Sequence, residues 1–198
     1  MKDTLHFLNS SFKNNKELAD TVLKWNDISY VLPLMYIDVR MYACNQPLEN
    51  LVELGTRGGE SAVALYSAVY EINTQLNQSA KMTSIDISPE CESVRTRLER
   101  IGPTDWWTFI TGDSATVKWS DPIDFLLIDT SHEYEQTLKE LNKWTPFIKQ
   151  GGTVWMHDVS STKGVPEAIH KWLSEQPKDT WKYYEVPTYA GLAWLKKL

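Results

Sequence analysis

From Leu51 onward the chain alternates short apolar runs with stretches whose apolar residues recur at helical spacing. LVELG (51–55) reads as a strand, and Ala62, Leu65, Val69 and Ile72 fall on one face of the helix after it. MTSIDIS (82–88) reads as a second strand, followed by the helix ECESVRTRLERIG (90–102) with Val94, Leu98 and Ile101 inward. WWTFITGD (106–113) is a third strand. DFLLID (124–129) is a fourth, a continuous apolar run of the kind buried on both faces of a parallel sheet. A helix over 131–149 then turns Tyr134, Leu138, Leu141 and Ile148 inward and ends at Gly151-Gly152, before a fifth strand TVWMHDV (153–159). This rhythm predicts a doubly wound α/β sheet with helices on both faces. The tail breaks it: after a helix over 166–174, WKYYEV and GLAWLKK face each other across a short turn, as a hairpin or antiparallel edge.

Residues 1–50 read as helical, with Leu18, Val22 and Trp25 in one stretch and Leu34, Ile37 and Tyr42 in another. No linker or repeat divides the 198 residues, so a single domain is expected, with 1–50 as a helical lid or cap on an α/β core over 51–198. No apolar run approaches the roughly 20 residues that cross a bilayer. The opening MKDTLHFLNSSFKNN lacks the apolar segment of a signal peptide, so the expected location is the cytoplasm, away from membranes. Cys44 and Cys91 are too few for a disulfide framework or a zinc knuckle.

A net charge of −6 argues against nucleic acid as a partner, since the densest basic group, Arg95, Arg97 and Arg100, reads as a solvated helix face. Nine Trp and nine Tyr supply core, and leave open a ring-lined pocket for a small molecule.

In such sheets ligands bind at the carboxyl ends of the strands, where helix N-termini present free N–H groups. The turn after the first strand carries Gly55, Gly58 and Gly59, but Arg57 stands where a dinucleotide fingerprint needs its second glycine. A side chain there obstructs a pyrophosphate, which disfavours NAD, and no phosphate loop is present. Glu53 ends the first strand, where it could receive an ammonium group, and Asp86 ends the second, where it could accept from both ribose hydroxyls. A nucleoside with a cationic amino-acid tail suits that pair, and S-adenosylmethionine (SAM) is such a molecule.

The ordered set E-x-G-x-x-x-G-x-S (Glu53, Gly55, Gly59, Ser61), SIDIS with Asp86, and TGDS with Asp113 and Ser114 resembles class I SAM-dependent methyltransferases. The segment from Asp124 to Asp158 is similar to macrocin-type sugar O-methyltransferases, rhamnosyl O-methyltransferases and cephalosporin-hydroxylase-like proteins. The likeness covers Leu51 to Asp158; the N-terminal third carries no matching motif. It implies a Rossmann-like seven-stranded sheet, mostly parallel, with an antiparallel C-terminal strand. It also implies Glu53 at the methionine amino group, Asp86 at the ribose, and Asp113 with Ser114 at the adenine. Gly55, Thr56, Gly59, Ser61, Ile87 and Asp129 complete the implied cofactor-binding set.

A second cluster follows. Asp129 closes the fourth strand and His157-Asp158 the fifth, so neighbouring strands bring two carboxylates to one edge and invite a divalent cation such as magnesium. The resemblance implies that His132, three residues after Asp129, is a general base, whereas His157 stands where an acid is usual. His157 can ligate as a neutral imidazole or orient Asp158. Thr130-Ser-His-Glu133 reads as a capping box, placing His132 in the first turn of a helix whose dipole would keep it neutral. His6 and His170 carry no assignment.

The expected activity is therefore SAM-dependent O-methylation of a small hydroxylated acceptor, a sugar or natural product, with His132 as base and Asp129, His157 and Asp158 holding a cation. A metal-free enzyme is the first alternative, and a non-catalytic nucleoside-binding module the second. Amino-methylation of nucleic acid is disfavoured, because the fourth strand ends in IDTSH. The N-terminal helices could form a lid, the face of a homo-oligomer, or core.

Overall fold

The computed structural model describes residues 15–24, 26–89 and 92–198. Two helices, α1 (Lys16–Leu23) and α2 (Leu32–Asn45), precede an alternating series. It runs β1 (Asn50–Leu54), α3 (Glu60–Gln75), β2 (Lys81–Asp86), α4 (Glu92–Glu99), β3 (Trp107–Thr111), β4 (Ile123–Ile128), α5 (Tyr134–Trp144) and β5 (Ile148–His157). Helix α6 (Gly164–Glu175) and the strands β6 (Trp181–Val186) and β7 (Leu192–Lys197) complete it. The seven strands lie in the order β3-β2-β1-β4-β5-β7-β6. All neighbours are parallel except β7, which runs antiparallel to both β5 and β6. The expected mostly parallel sheet with an antiparallel C-terminal strand is the one observed.

Every residue of β4 is buried, as its unbroken apolar run requires. Its one acid, Asp124, is fully buried yet satisfied: the Glu49 and Asn50 N–H groups donate to it at 2.8 and 2.9 Å, and the Tyr42 hydroxyl at 2.7 Å. Burying that charge without partners would cost several kcal/mol; here it ties the chain entering β1 to the sheet.

The two N-terminal helices contribute to the main core. Leu18, Leu32, Met35, Tyr36 and Val39 are fully buried against α3 and one face of the sheet. On α2 the buried stripe is one step out of phase with the sequence reading, since Leu34 is exposed while Leu32, Met35 and Tyr36 are inside. Trp25, assigned to the first helical stretch, lies outside the described residues, as do Cys91 and His6.

Two boundaries differ from those expected. Helix α5 stops at Trp144, followed by a single 3₁₀ turn over Thr145–Phe147 with Pro146 in it, and its buried stripe is Thr137, Glu140, Leu141 and Trp144. Gly151-Gly152 does not end that helix; both residues lie inside β5, where the register against β4 shifts between Ile123 and Phe125. A Cβ on Gly152 would sit 2.9 Å from the Lys149 carbonyl and 3.0 Å from that of Asp124, so the pair marks a bulge. Among the described residues no helix is long and apolar enough to cross a membrane.

Candidate active site

The turn after β1 is shaped by close approach. Gly55 has φ +87°, and a Cβ there would lie 1.9 Å from the Asp129 carbonyl oxygen at the end of β4. Only glycine lets these two strand ends meet. Arg57, with φ 44°, takes the left-handed conformation without glycine's freedom. The Thr56 and Arg57 N–H groups both donate to Asp86 Oδ2, at 2.8 and 3.0 Å, and the Ser88 N–H donates to Oδ1 at 2.8 Å. Burial opposes the Asp86 charge, but these N–H groups outweigh it and hold the carboxyl below its usual range. Asp86 thus braces the glycine turn, a task its assignment to the ribose did not include.

Glu53 lies beneath the turn, fully buried, accepting from the hydroxyls of Ser84 at 2.6 Å and Thr56 at 3.2 Å. Among the described residues its Oε1 has no hydrogen-bond partner. Burial pushes its carboxyl up to about 7, against the lowering effect of the Ser61, Ser84 and Thr56 hydroxyls.

Arg97 on α4 holds the turn from outside. It donates to the Gly58 carbonyl at 2.8 Å, to Thr21 Oγ1 at 2.7 Å, and to Glu17 and Glu60 at 2.9 and 3.2 Å. Arg100 also reaches Glu17, at 3.2 Å, and the Arg95 guanidinium lies 4.9 Å from the centre of the Trp107 ring. Within the basic group read as a solvated helix face, Arg100 is largely exposed, whereas Arg97 is a clamp joining α1, the glycine turn and α4. Its acidic partners come from distant segments.

Two cavities open at this edge. The first, of about 480 Å³, runs from Gly55 and Asp129 past Asp86 and Ile87 to Asp113 and Ser114. The second, of about 390 Å³, lies between Lys24, Asn26, Asp27 and Ile28 on one side and the glycine turn on the other, with Thr56 and Ser61 on its wall and Asp129, His132 and Asp158 lining it too. They share Gly55, Arg57, Asp129 and Thr130. Glu53 and Gly59 line neither. Among the described residues no Trp, Tyr or Phe lines either cavity, and many of their rings lie in the core. The sequence reading missed Gln136 and Thr130 on the first cavity's wall. Their signal is the helical i, i+4 spacing of Gln136 and Glu140, which accepts from both.

Asp129, His132 and Asp158 converge so closely that one ligand atom from each lies within 4.8 Å of the others. His132 Nε2 is 3.1 Å from Asp129 Oδ1 and 3.0 Å from Asp158 Oδ2. His157 Nδ1 lies 2.9 Å from Asp158 Oδ2 and 3.6 Å from Asp129 Oδ1, and its buried Nε2 has no partner among the described residues. His157 therefore stands behind Asp158, and the converging set holds His132 where the sequence reading put His157. The Ser161 hydroxyl fixes the other Asp158 oxygen.

The capping box does not form. Helix α5 begins at Tyr134 after Glu133, with no side-chain cap, because the Thr130 hydroxyl donates instead to Glu140 at 2.9 Å. His132 sits before the helix with φ 59°, and Asp158 has φ 65°. Two non-glycine residues in this region cost about 1–3 kcal/mol each and mark a site over-determined by its surroundings.

Nor is the imidazole neutral. Hydrogen bonds to Asp129 and Asp158 raise the His132 pKa to about 9, outweighing burial. Burial lowers that of His157, yet the same carboxylates bring it up to about 10. Both carboxyls are correspondingly held below their usual range, although burial alone would raise them. The carboxylates override the helix dipole because they are full charges at contact distance.

Residues 52–159 match the family described as a methyltransferase domain, more than half of the 198 residues, and the chain belongs to that family. The resemblance to class I SAM-dependent methyltransferases is thereby borne out. No curated protein matches the sequence. Among solved structures, SAH-bound methyltransferase PaMTH1 from Podospora anserina is 15% identical, with a TM-score of 0.67 over 100% of this chain and 96% of that one. An O-methyltransferase from Bacillus cereus, in complex with SAH, is 16% identical, with a TM-score of 0.64 over 96% and 90%. TDP-rhamnose 3′-O-methyltransferase of calicheamicin biosynthesis is 14% identical, with a TM-score of 0.63 over 93% of both chains.

Proposed function

We propose that the chain transfers a methyl group from SAM to a hydroxyl oxygen of a small molecule, a sugar unit or natural product. The observation that carries this reading is the wall shared by the two cavities: Asp129 faces both, so a sulfonium in the first and a hydroxyl in the second would meet beside His132. The first cavity suits an adenosine, with Asp113 and Ser114 at the base, Asp86 and Ile87 at the ribose, and the glycine turn at the methionine. Glu53, beneath that turn, has a buried unpartnered oxygen that fits an ammonium group above it. The second cavity, with Asp129, His132 and Asp158 among its lining residues, suits a hydroxylated acceptor. The SAH-bound neighbours and the one that methylates TDP-rhamnose support both choices.

The sulfonium is already a strong electrophile, so the protein's task is to align the acceptor oxygen, exclude water and receive the proton. Neutral His132 takes that proton from the acceptor hydroxyl, and the neutral fraction grows as pH rises towards about 9. Asp129 and Asp158 orient the imidazole and offset the charge it gains.

Asp129, His132 and Asp158 offer two hard oxygens and one imidazole, which fits a divalent cation of the magnesium or manganese kind. Such a cation would lower the pKa of the acceptor hydroxyl and fix its oxygen. One observation favours a metal-free version: His132 already bridges both carboxylates and supplies their countercharge.

Calorimetric titration with SAH, then methyl-labelled SAM offered with panels of sugars and phenols, with and without EDTA, tests the reading. Saturable SAH binding and label transfer to oxygen are expected. Absence of SAH binding would overturn it, and full activity in EDTA would select the metal-free version.

A further inference from the structure

We propose that Gln136 reads the six-position of the purine in the first cavity, accepting from an exocyclic amine and so selecting adenosine over inosine. This rests on the reading of that cavity as a nucleoside site. Gln136 stands in the first turn of α5, half-buried, and lines the wall beside Asp113 and Ser114. An amide normally chooses between two orientations that exchange its donor and acceptor ends. Here three acceptors surround one end: Nε2 shares its two hydrogens among Asp113 Oδ1 at 3.2 Å, Ser114 Oγ at 3.2 Å and Glu140 Oε1 at 3.1 Å. The Ser114 hydroxyl hydrogen is committed to Glu140, so Ser114 cannot turn to serve as a donor instead. Glu140 is held in turn by the Thr130 hydroxyl on its second oxygen, at 2.9 Å. Flipping the amide would set its carbonyl oxygen against three oxygens and lose every one of these bonds.

The orientation is therefore fixed, and Gln136 Oε1 is left as an acceptor with no partner among the described residues. It is also not among the buried, unpartnered atoms, so it remains open to a ligand. Ile85 and Ile87 supply apolar wall along the same cavity, suited to a flat ring. A 6-amino group presents a hydrogen to this acceptor. A 6-oxo group presents lone pairs to it, and the locked amide cannot answer by turning.

The test uses the full chain with two ligands, SAH and its deaminated analogue S-inosylhomocysteine, titrated calorimetrically into wild type and Gln136→Leu. Wild type is expected to favour SAH on the order of 100-fold, the scale set by a buried polar group left unpaired. Gln136→Leu should narrow that ratio to within about threefold, through loss of SAH affinity. The N6,N6-dimethyl analogue of SAH, which has no N–H to donate, gives a wild-type measurement that needs no variant; it should bind as weakly as the inosine compound. Equal binding of SAH and the inosine compound by wild type would overturn the role of Gln136 and leave the nucleoside site standing. A ratio unchanged in Gln136→Leu would do the same. Failure of folded wild type to bind SAH would bring down the nucleoside reading and this inference together.

Discussion

Glu53 and Asp129 end adjacent parallel strands and face opposite electrostatic fates. Glu53 is fully buried among hydroxyls, with no cation beside it, and its carboxyl rises to about 7. Asp129 is half-buried among imidazoles, and its carboxyl is held below the usual range. Strand-end position and residue class are the same, so burial alone does not set the charge. The partner does. A hydroxyl lends part of a dipole, whereas an imidazolium at contact distance supplies a full opposite charge. Glu53 is thus held near its neutral form. Asp129 is held in its charged form and compensated by the imidazoles beside it.

The most damaging way to break this arrangement is Gly55→Ala. It forces an L residue to φ +87° and drives a Cβ into the Asp129 carbonyl, pushing the two strand ends apart. A loss of about 3 kcal/mol or more is expected, read as a fall in melting temperature on the order of 10 °C.

Glu53→Gln sharpens the buried half. Because the folded pKa of about 7 lies above the ordinary value of 4.5, the fold favours the protonated acid. The penalty is absent below about pH 4.5, grows as pH rises, and is complete above about pH 7. It amounts to roughly 3 kcal/mol at most. Urea melts at pH 5 and pH 8 should show that extra loss of stability in wild type, with the pH difference correspondingly smaller in the variant.

Asp158→Asn tests the compensated half. It removes one of the two carboxylates on His132, whose midpoint should move from about 9 towards its ordinary 6.5. Stability should drop by about 1–2 kcal/mol, discounted because His132 is partly exposed. Titration of the His132 ring protons by NMR measures the shift; an unmoved midpoint would contradict the pairing.

Arg97→Met should have the smallest effect, about 1 kcal/mol, since its ion pairs are partly solvated. Its mark should be local: hydrogen exchange should quicken in 16–23 and 56–60, the segments it joins, and little elsewhere.

The alternating core was legible because strand and helix periods are written locally, in residues such as Phe125 to Ile128 and Ala62 to Ile72. The glycine turn was legible because Gly55 and Gly59 each answer a backbone requirement. What failed depended on partners distant in sequence. Thr130 has the spacing of a helix cap, but Glu140 competes for its hydroxyl from a full helix away. His132 looked neutral until β5 brought Asp158 against it. Gly151-Gly152 resembled a helix stop because a bulge and a stop both use glycine, and only the pairing with β4 distinguishes them. The Arg97 clamp left no local trace, since Glu17 and Gly58 lie 80 and 39 residues away.

The wall that the two cavities share, at Gly55, Arg57, Asp129 and Thr130, also has a pharmacological consequence. On the proposed assignment of the two cavities, a thioether nucleoside in one and a hydroxylated fragment in the other could be joined by a linker of only a few atoms. The second fragment would then bind at the effective concentration set by that short tether, so such a bisubstrate compound should bind far more tightly than either half. Varying the tethered fragment across a library of hydroxylated compounds would rank acceptors by affinity, whatever the natural one is.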